Sequence, residues 1–176
     1  MRCYPNLIVQ NLRCMCPRET FINLVTIPVR FVTFDGVIAQ GVIEMHRDLI
    51  EDVEDLFRFM IAEQFPLSSV IPIAQFGWND ERSMAANNTS GFHYRFIAGT
   101  ERLSKHAYGR AIDINPLFNP CVEGMVIQPA GAVYDPCNCG VLTADSPVTE
   151  FLKAHGWTWG GDWESPKDYQ HFQKPE

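Results

Sequence analysis

The stretch Ser104-Lys105-His106-Ala107-Tyr108-Gly109-Arg110-Ala111-Ile112-Asp113 constrains this chain more than any other. It sets a histidine and an aspartate seven residues apart, with a glycine between them. A straight strand would send residues at that spacing to opposite faces, because strand side chains alternate. A helix is disfavoured by Gly109 and by β-branched Ile112 just ahead of Asn115-Pro116. The spacing therefore predicts a bend around Gly109, with His106 before it and Asp113 on a strand from Arg110 to Ile114. Taken alone, the same spacing also fits a polar turn leading into an edge strand. A second cluster, Asp168-Tyr169-Gln170-His171, lies near the end of the chain. Together the two clusters supply two imidazoles, one carboxylate ligand and a spare carboxylate. Such a set can bind one zinc ion and support a hydrolysis, provided the side chains converge on one point.

The pattern Ser-x-His-x-x-Gly-x-Ala-x-Asp followed by a late Asp-x-x-His resembles the M15 zinc peptidases. That group contains D-alanyl-D-alanine carboxypeptidases, D,D-dipeptidases and L-alanyl-D-glutamate endopeptidases, phage endolysins among them. All the fixed positions of the first motif match: Ser104, His106, Gly109, Ala111 and Asp113. Asn87-Asn88-Thr89-Ser90 before it and Gly156-Trp157-Thr158-Trp159-Gly160-Gly161-Asp162-Trp163 after it look like the carboxypeptidase-like branch. The resemblance runs from about Val29 to Lys174. It implies an α+β domain with a small, mainly antiparallel sheet flanked by helices, over residues 29–176. Residues 1–28 read as an N-terminal extension.

The resemblance also implies roles. His106, Asp113 and His171 become the ligands of one Zn2+ ion, leaving a fourth position for water. Asp168 takes the place of the general base, with aspartate where many members have glutamate; Asp162 and Glu164 are its nearby alternates. Arg95 stands where relatives keep an arginine that binds substrate or stabilises the transition state; the other reading is a surface strand arginine. Ser104 supports the ligand set, contacts a substrate carboxylate, or caps the turn. The implied substrates are peptidoglycan stem peptides. A non-catalytic, zinc-containing module that binds cell-wall peptides is the rival, and the presence of Asp168 argues against it.

Composition narrows the remaining choices. A chain of 176 residues suffices for one domain with its own core. A net charge of −7 and the lack of a basic patch argue against a nucleic-acid partner. No apolar run is long enough for a transmembrane helix. The N-terminus lacks a standard signal-peptide pattern. The cysteines fall at Cys3, Cys14, Cys16, Cys121, Cys137 and Cys139, and permit free thiols, disulfides or a second metal site.

Along the chain, Val29–Phe34 and Val37–Met45 read as strands joined by a tight turn at Asp35-Gly36. Asp48 is a candidate N-cap for a helix running to about Gln64, with Leu49, Val53, Leu56, Phe57, Met60 and Ile61 on its apolar face. Val70–Phe76 and Phe92–Ile97 read as strands, Trp78–Asn88 as a loop, and residues 115–140 as a long irregular loop. Ser146-Pro147 opens a short helix that ends before Gly156. A final strand carries His171 and Phe172. His46, His93 and His155 lack a ligand-type partner at a telling distance. Trp157, Trp159 and Trp163 either wall a pocket or pack in the core.

Overall fold

Strand β1 (Leu24–Val32) and strand β2 (Ile38–His46) form a long antiparallel hairpin, in register from Leu24↔His46 to Val32↔Ile38. The computed structural model describes residues 21–175. The turn falls at Asp35-Gly36 as expected, with the Gly36 amide donating to Thr33 O at 2.9 Å. On β1 the residues Ile27, Val29 and Phe31 are buried while Thr26, Pro28 and Arg30 lie on the opposite, more open face, which is the alternation of a strand with one side on a core. β1 thus takes in residues 24–28, which the sequence alone assigns to the extension.

His46, and not Asp48, caps the next element: its Nδ1 accepts from the Asp48 amide at 3.3 Å and opens a single 3-10 turn, Arg47–Leu49. Helix α1 (Ile50–Ala62) continues from it and buries Val53, Leu56, Phe57 and Met60 against β1. It stops short of Gln64, whose φ of 54° is left-handed.

Three local expectations fail for identifiable reasons. Pro72 cannot donate to a ladder, so strand β3 is only Ser69–Val70, and Ile73–Phe76 is a 3-10 turn. The Asn79 side chain accepts from the Arg82 amide at 2.9 Å and starts helix α2 (Asp80–Ala85) inside the stretch expected to be a loop. Strand β4 (Asn88–Thr89) then pairs parallel with β3. Residues 92–97 are not a regular strand. They lie against the turn that carries His106, with His93 N donating to His106 O at 3.1 Å and Ser104 N to Arg95 O at 3.0 Å. A turn offers too few aligned groups to extend that pairing into a ladder.

The second half of the chain is built from short strands. They are β5 (Ala111–Asp113), β6 (Cys121–Glu123) and β7 (Val126–Gln128), then helix α3 (Pro147–Ala154), then β8 (Thr158–Trp159), β9 (Lys167–Asp168) and β10 (His171–Gln173). One antiparallel sheet has the order β5-β10-β8 and another β7-β6-β9. The molecule is therefore a small α+β domain with its strands divided among several small sheets. α3 begins at Pro147 as expected. Trp157 and Trp159 join the core with Ile112, Ile114, Leu152 and Phe172. Among the described residues no helix is long and apolar enough to cross a membrane. Cys121, Cys137 and Cys139 are free thiols; Cys3, Cys14 and Cys16 lie outside the described residues.

The segment between β5 and α3 holds the β6–β7 hairpin and is pinned by buried asparagines. Asn115 Nδ2 donates to Pro66 O at 2.8 Å and Gly140 O at 3.1 Å. Asn119 Nδ2 donates to Gly140 O at 3.0 Å, and its Oδ1 accepts from the Leu142 amide at 2.7 Å. These amides replace the backbone pairing the irregular segment lacks. Asn119→Leu should leave the Leu142 amide without a partner and destabilise the protein by about 1–3 kcal/mol. Urea unfolding with an unchanged slope checks this; an unchanged midpoint contradicts it.

Candidate metal centre

Three elements deliver the donors. Ser104 Oγ accepts from the His106 amide at 3.3 Å and opens the 3-10 turn Lys105–Tyr108. Gly109 closes that turn in the left-handed region at φ 65°, where a Cβ would also press on His46 N at 2.6 Å. The chain can then turn directly into β5, which is the bend the spacing required. Asp113 ends β5, and antiparallel pairing sets His171 of β10 directly opposite it. Directly opposed residues project to the same face of a sheet.

The donor atoms meet closely. His106 Nε2 lies 3.1 Å from Asp113 Oδ2. His171 Nδ1 lies 3.0 Å from Asp113 Oδ1 and 3.1 Å from His106 Nε2. All three residues are buried. Ligands about 2.0–2.1 Å from a tetrahedral ion are about 3.3 Å apart, so the cluster is close to the size of a zinc ligand triangle.

Proton positions sharpen the point. His106 Nδ1 is 2.6 Å from Gly91 O, a contact that only an Nδ1–H can make, so in the neutral ring Nε2 presents a lone pair. His171 Nε2 faces Gln173 Oε1 at 3.2 Å, which favours a proton there and a lone pair on Nδ1. Two lone pairs and a carboxylate then face one another in a buried space. That arrangement calls for a cation, and without a metal a proton has to serve. Burial opposes a charged His171, but the hydrogen bond and charge of Asp113 outweigh it and raise its pKa. Burial likewise opposes ionisation of Asp113, yet the charges and hydrogen bonds of His106 and His171 hold it well below the usual carboxylate range.

The family model described as D-alanyl-D-alanine carboxypeptidase matches residues 98–174. Over these residues the chain is similar to that peptidase family. No curated protein matches the chain. The matched segment contains Ser104, His106, Asp113, Asp168 and His171. It is shorter than the stretch of resemblance from Val29 to Lys174, and Arg95 lies outside it.

Asp168 sits at the end of β9, paired with Cys121 of β6, and the turn Tyr169-Gln170 separates it from β10. The three-residue offset from His171 is thus resolved by a change of strand. Gly160 lets the backbone close up here, since a Cβ on it would lie 2.5 Å from Asp168 O. Asp168 Oδ1 is buried and has no hydrogen-bond partner among the described residues. Burial, reinforced by the Asp113 charge and opposed by His171, pushes its carboxyl up to about 6. The alternates are less well placed: Asp162 is tied to Lys153 Nζ at 2.7 Å, and Glu164 is exposed.

Arg95 pairs with Asp80 of α2, its Nε 3.1 Å from Asp80 Oδ2. The Asp113 charge reaches Asp80, and the Arg95 charge reaches Cys121. Trp163 borders the centre, its ring 5.4 Å from that of His171. Four neighbours are not apparent from the sequence: the Gly91 carbonyl, Gln173, Asp80 and Cys121. Gln173 carries a usable signal, because a residue two along a strand shares its face. Gln173→Leu should weaken zinc binding by about 10–100-fold, the worth of an outer partner that orients a ligating histidine. Competition against a chelator measures it; wild-type affinity would remove Gln173 from the centre.

Proposed function

We propose that this protein is a zinc-dependent hydrolase of peptide bonds in peptidoglycan stem peptides. The observation that carries the reading is the buried convergence of His106 Nε2, an Asp113 oxygen and His171 Nδ1, with the unpartnered Asp168 Oδ1 beside it. The M15 match supports a peptidase, and the description of that family favours a D-alanyl-D-alanine bond over an L-alanyl-D-glutamate one.

In this reading His106, Asp113 and His171 hold the ion. Zinc, when bound, supplies a Lewis acid that polarises a peptide carbonyl and makes water more acidic. Asp168 takes the proton of the attacking water and returns it to the departing amine nitrogen. A carboxyl displaced toward neutrality suits both transfers. Arg95 offers its guanidinium to the negative charge that develops on the former carbonyl oxygen, with Asp80 paired on its Nε side. Ser104 acts through the turn it caps, holding His106 in place. The orphaned Asp168 oxygen speaks against a module that binds zinc without hydrolysis, because a buried carboxylate is costly to keep idle.

Incubating the zinc-loaded protein with purified muropeptides and reading the products by mass spectrometry tests the reaction. Loss of a terminal alanine, or a cut between alanine and glutamate, is the expected result; intact muropeptides would refute it. Asp168→Asn should keep one zinc per chain yet lose roughly a hundredfold to ten-thousandfold in turnover. Loss of zinc in that variant would make Asp168 a ligand instead.

The base works only when ionised, so activity should fall as pH drops through its pKa. A bound cation lowers that pKa further, which places the acid limb at or below about 6. A zinc-retaining enzyme with flat activity from about pH 7 to about pH 4 contradicts this assignment.

A further inference from the structure

Asp80 is a carboxylate without a role in the chemistry above, and it is placed where one would matter. It lies in the first turn of α2, an element not anticipated from the sequence. Its Oδ2 meets Arg95 Nε at 3.1 Å and its Oδ1 meets His93 Nδ1 at 3.3 Å. The side chains of Asp80 and His93 are only 23% and 13% exposed, so the contact is shielded from water. His93 and Arg95 are two apart in the chain and both side chains meet this carboxylate. That segment is bonded to the His106 turn through His93 N–His106 O and Ser104 N–Arg95 O. Burial opposes ionisation of Asp80, but the His93 hydrogen bond and the Arg95 and His93 charges prevail and lower its pKa.

We propose that Asp80 is a positioning residue whose ion pair with Arg95 turns the guanidinium toward the metal centre. An arginine on an irregular segment has many rotamers, and fixing it beforehand removes that ordering cost from the reaction. The Asp80 carboxylate meets Arg95 on its Nε side at 3.1 Å, as an ion pair without hydrogen-bond alignment, an approach that leaves the Nη side open to a ligand. His93 Nδ1, 3.3 Å from the second oxygen, flanks the carboxylate on its other side. The inference rests on the reading of Arg95 as the group that meets developing charge.

A double-mutant cycle on the full chain, loaded with zinc, tests it with whichever muropeptide is cut. Asp80→Asn, Arg95→Ala and the double variant are compared for kcat and KM separately, alongside zinc content and thermal unfolding. Asp80→Asn should lower kcat about tenfold or more with zinc content unchanged, and should cost nothing further once Arg95 is alanine. Asp80→Glu, which restores the charge at a longer reach, should recover part of the loss and serves if the asparagine variant folds poorly. Equal losses from Asp80→Asn in both backgrounds, or an unchanged kcat in the wild-type background, overturns the proposal. An Arg95→Ala enzyme with normal kcat instead overturns the reading of Arg95.

Discussion

His106 Nε2, His171 Nδ1 and the Asp113 carboxylate are pressed to about 3 Å from one another inside the protein, and each is a ligand atom when the imidazoles are neutral. Acceptors do not attract acceptors, and burial removes the water that would screen them. The rest of the domain supplies what keeps them together. The β5–β10 pairing sets Asp113 and His171 face to face, and the Ser104–Gly109 turn brings His106 back over them. Hydrogen bonds at the far nitrogens, to Gly91 O and Gln173 Oε1, turn both lone pairs inward. A cation at that point would meet all three donors at once, where a proton can be shared by only two of them.

The surroundings extend the same logic to chemistry. Asp168 arrives from a different sheet, so its carboxylate approaches the centre without competing for the face that His171 and Asp113 share. Among the described residues its Oδ1 has no hydrogen-bond partner, while the neighbouring acids that could replace it are tied to a lysine or lie in solvent. On another side, the segment 91–95 brings the Gly91 carbonyl to His106 and bonds through its backbone to the His106 turn. The asparagines behind β5 hold this arrangement against the long segment beyond it, by bonding to Pro66, Gly140 and Leu142.

The legible features were the local ones. Gly109 between His106 and Asp113 announced a bend, Asp35-Gly36 a hairpin, and Ser146-Pro147 a helix start, because each rests on the conformational limits of one or two residues. The opposition of His171 and Asp113 is a matter of strand register between residues 58 apart, and no local pattern encodes it. α2 escaped because six residues are too few to display a helical period, and only the Asn79 cap betrays it. Residues 92–97 have the composition of a strand but face a turn, so their alternation had no ladder to join. Asp80 meets Arg95 through that same unexpected helix, which is why the pair was invisible in one dimension.

The centre proposed here is a single zinc held by two imidazoles and one carboxylate. X-ray absorption at the zinc edge on the metal-loaded protein tests it most directly. The account predicts one zinc per chain, ringed by nitrogen and oxygen at about 2.0–2.1 Å, with the imidazole signal lost in His171→Ala. A shell of sulfur at about 2.3 Å, which would implicate the cysteines, or an unchanged spectrum in that variant would contradict it.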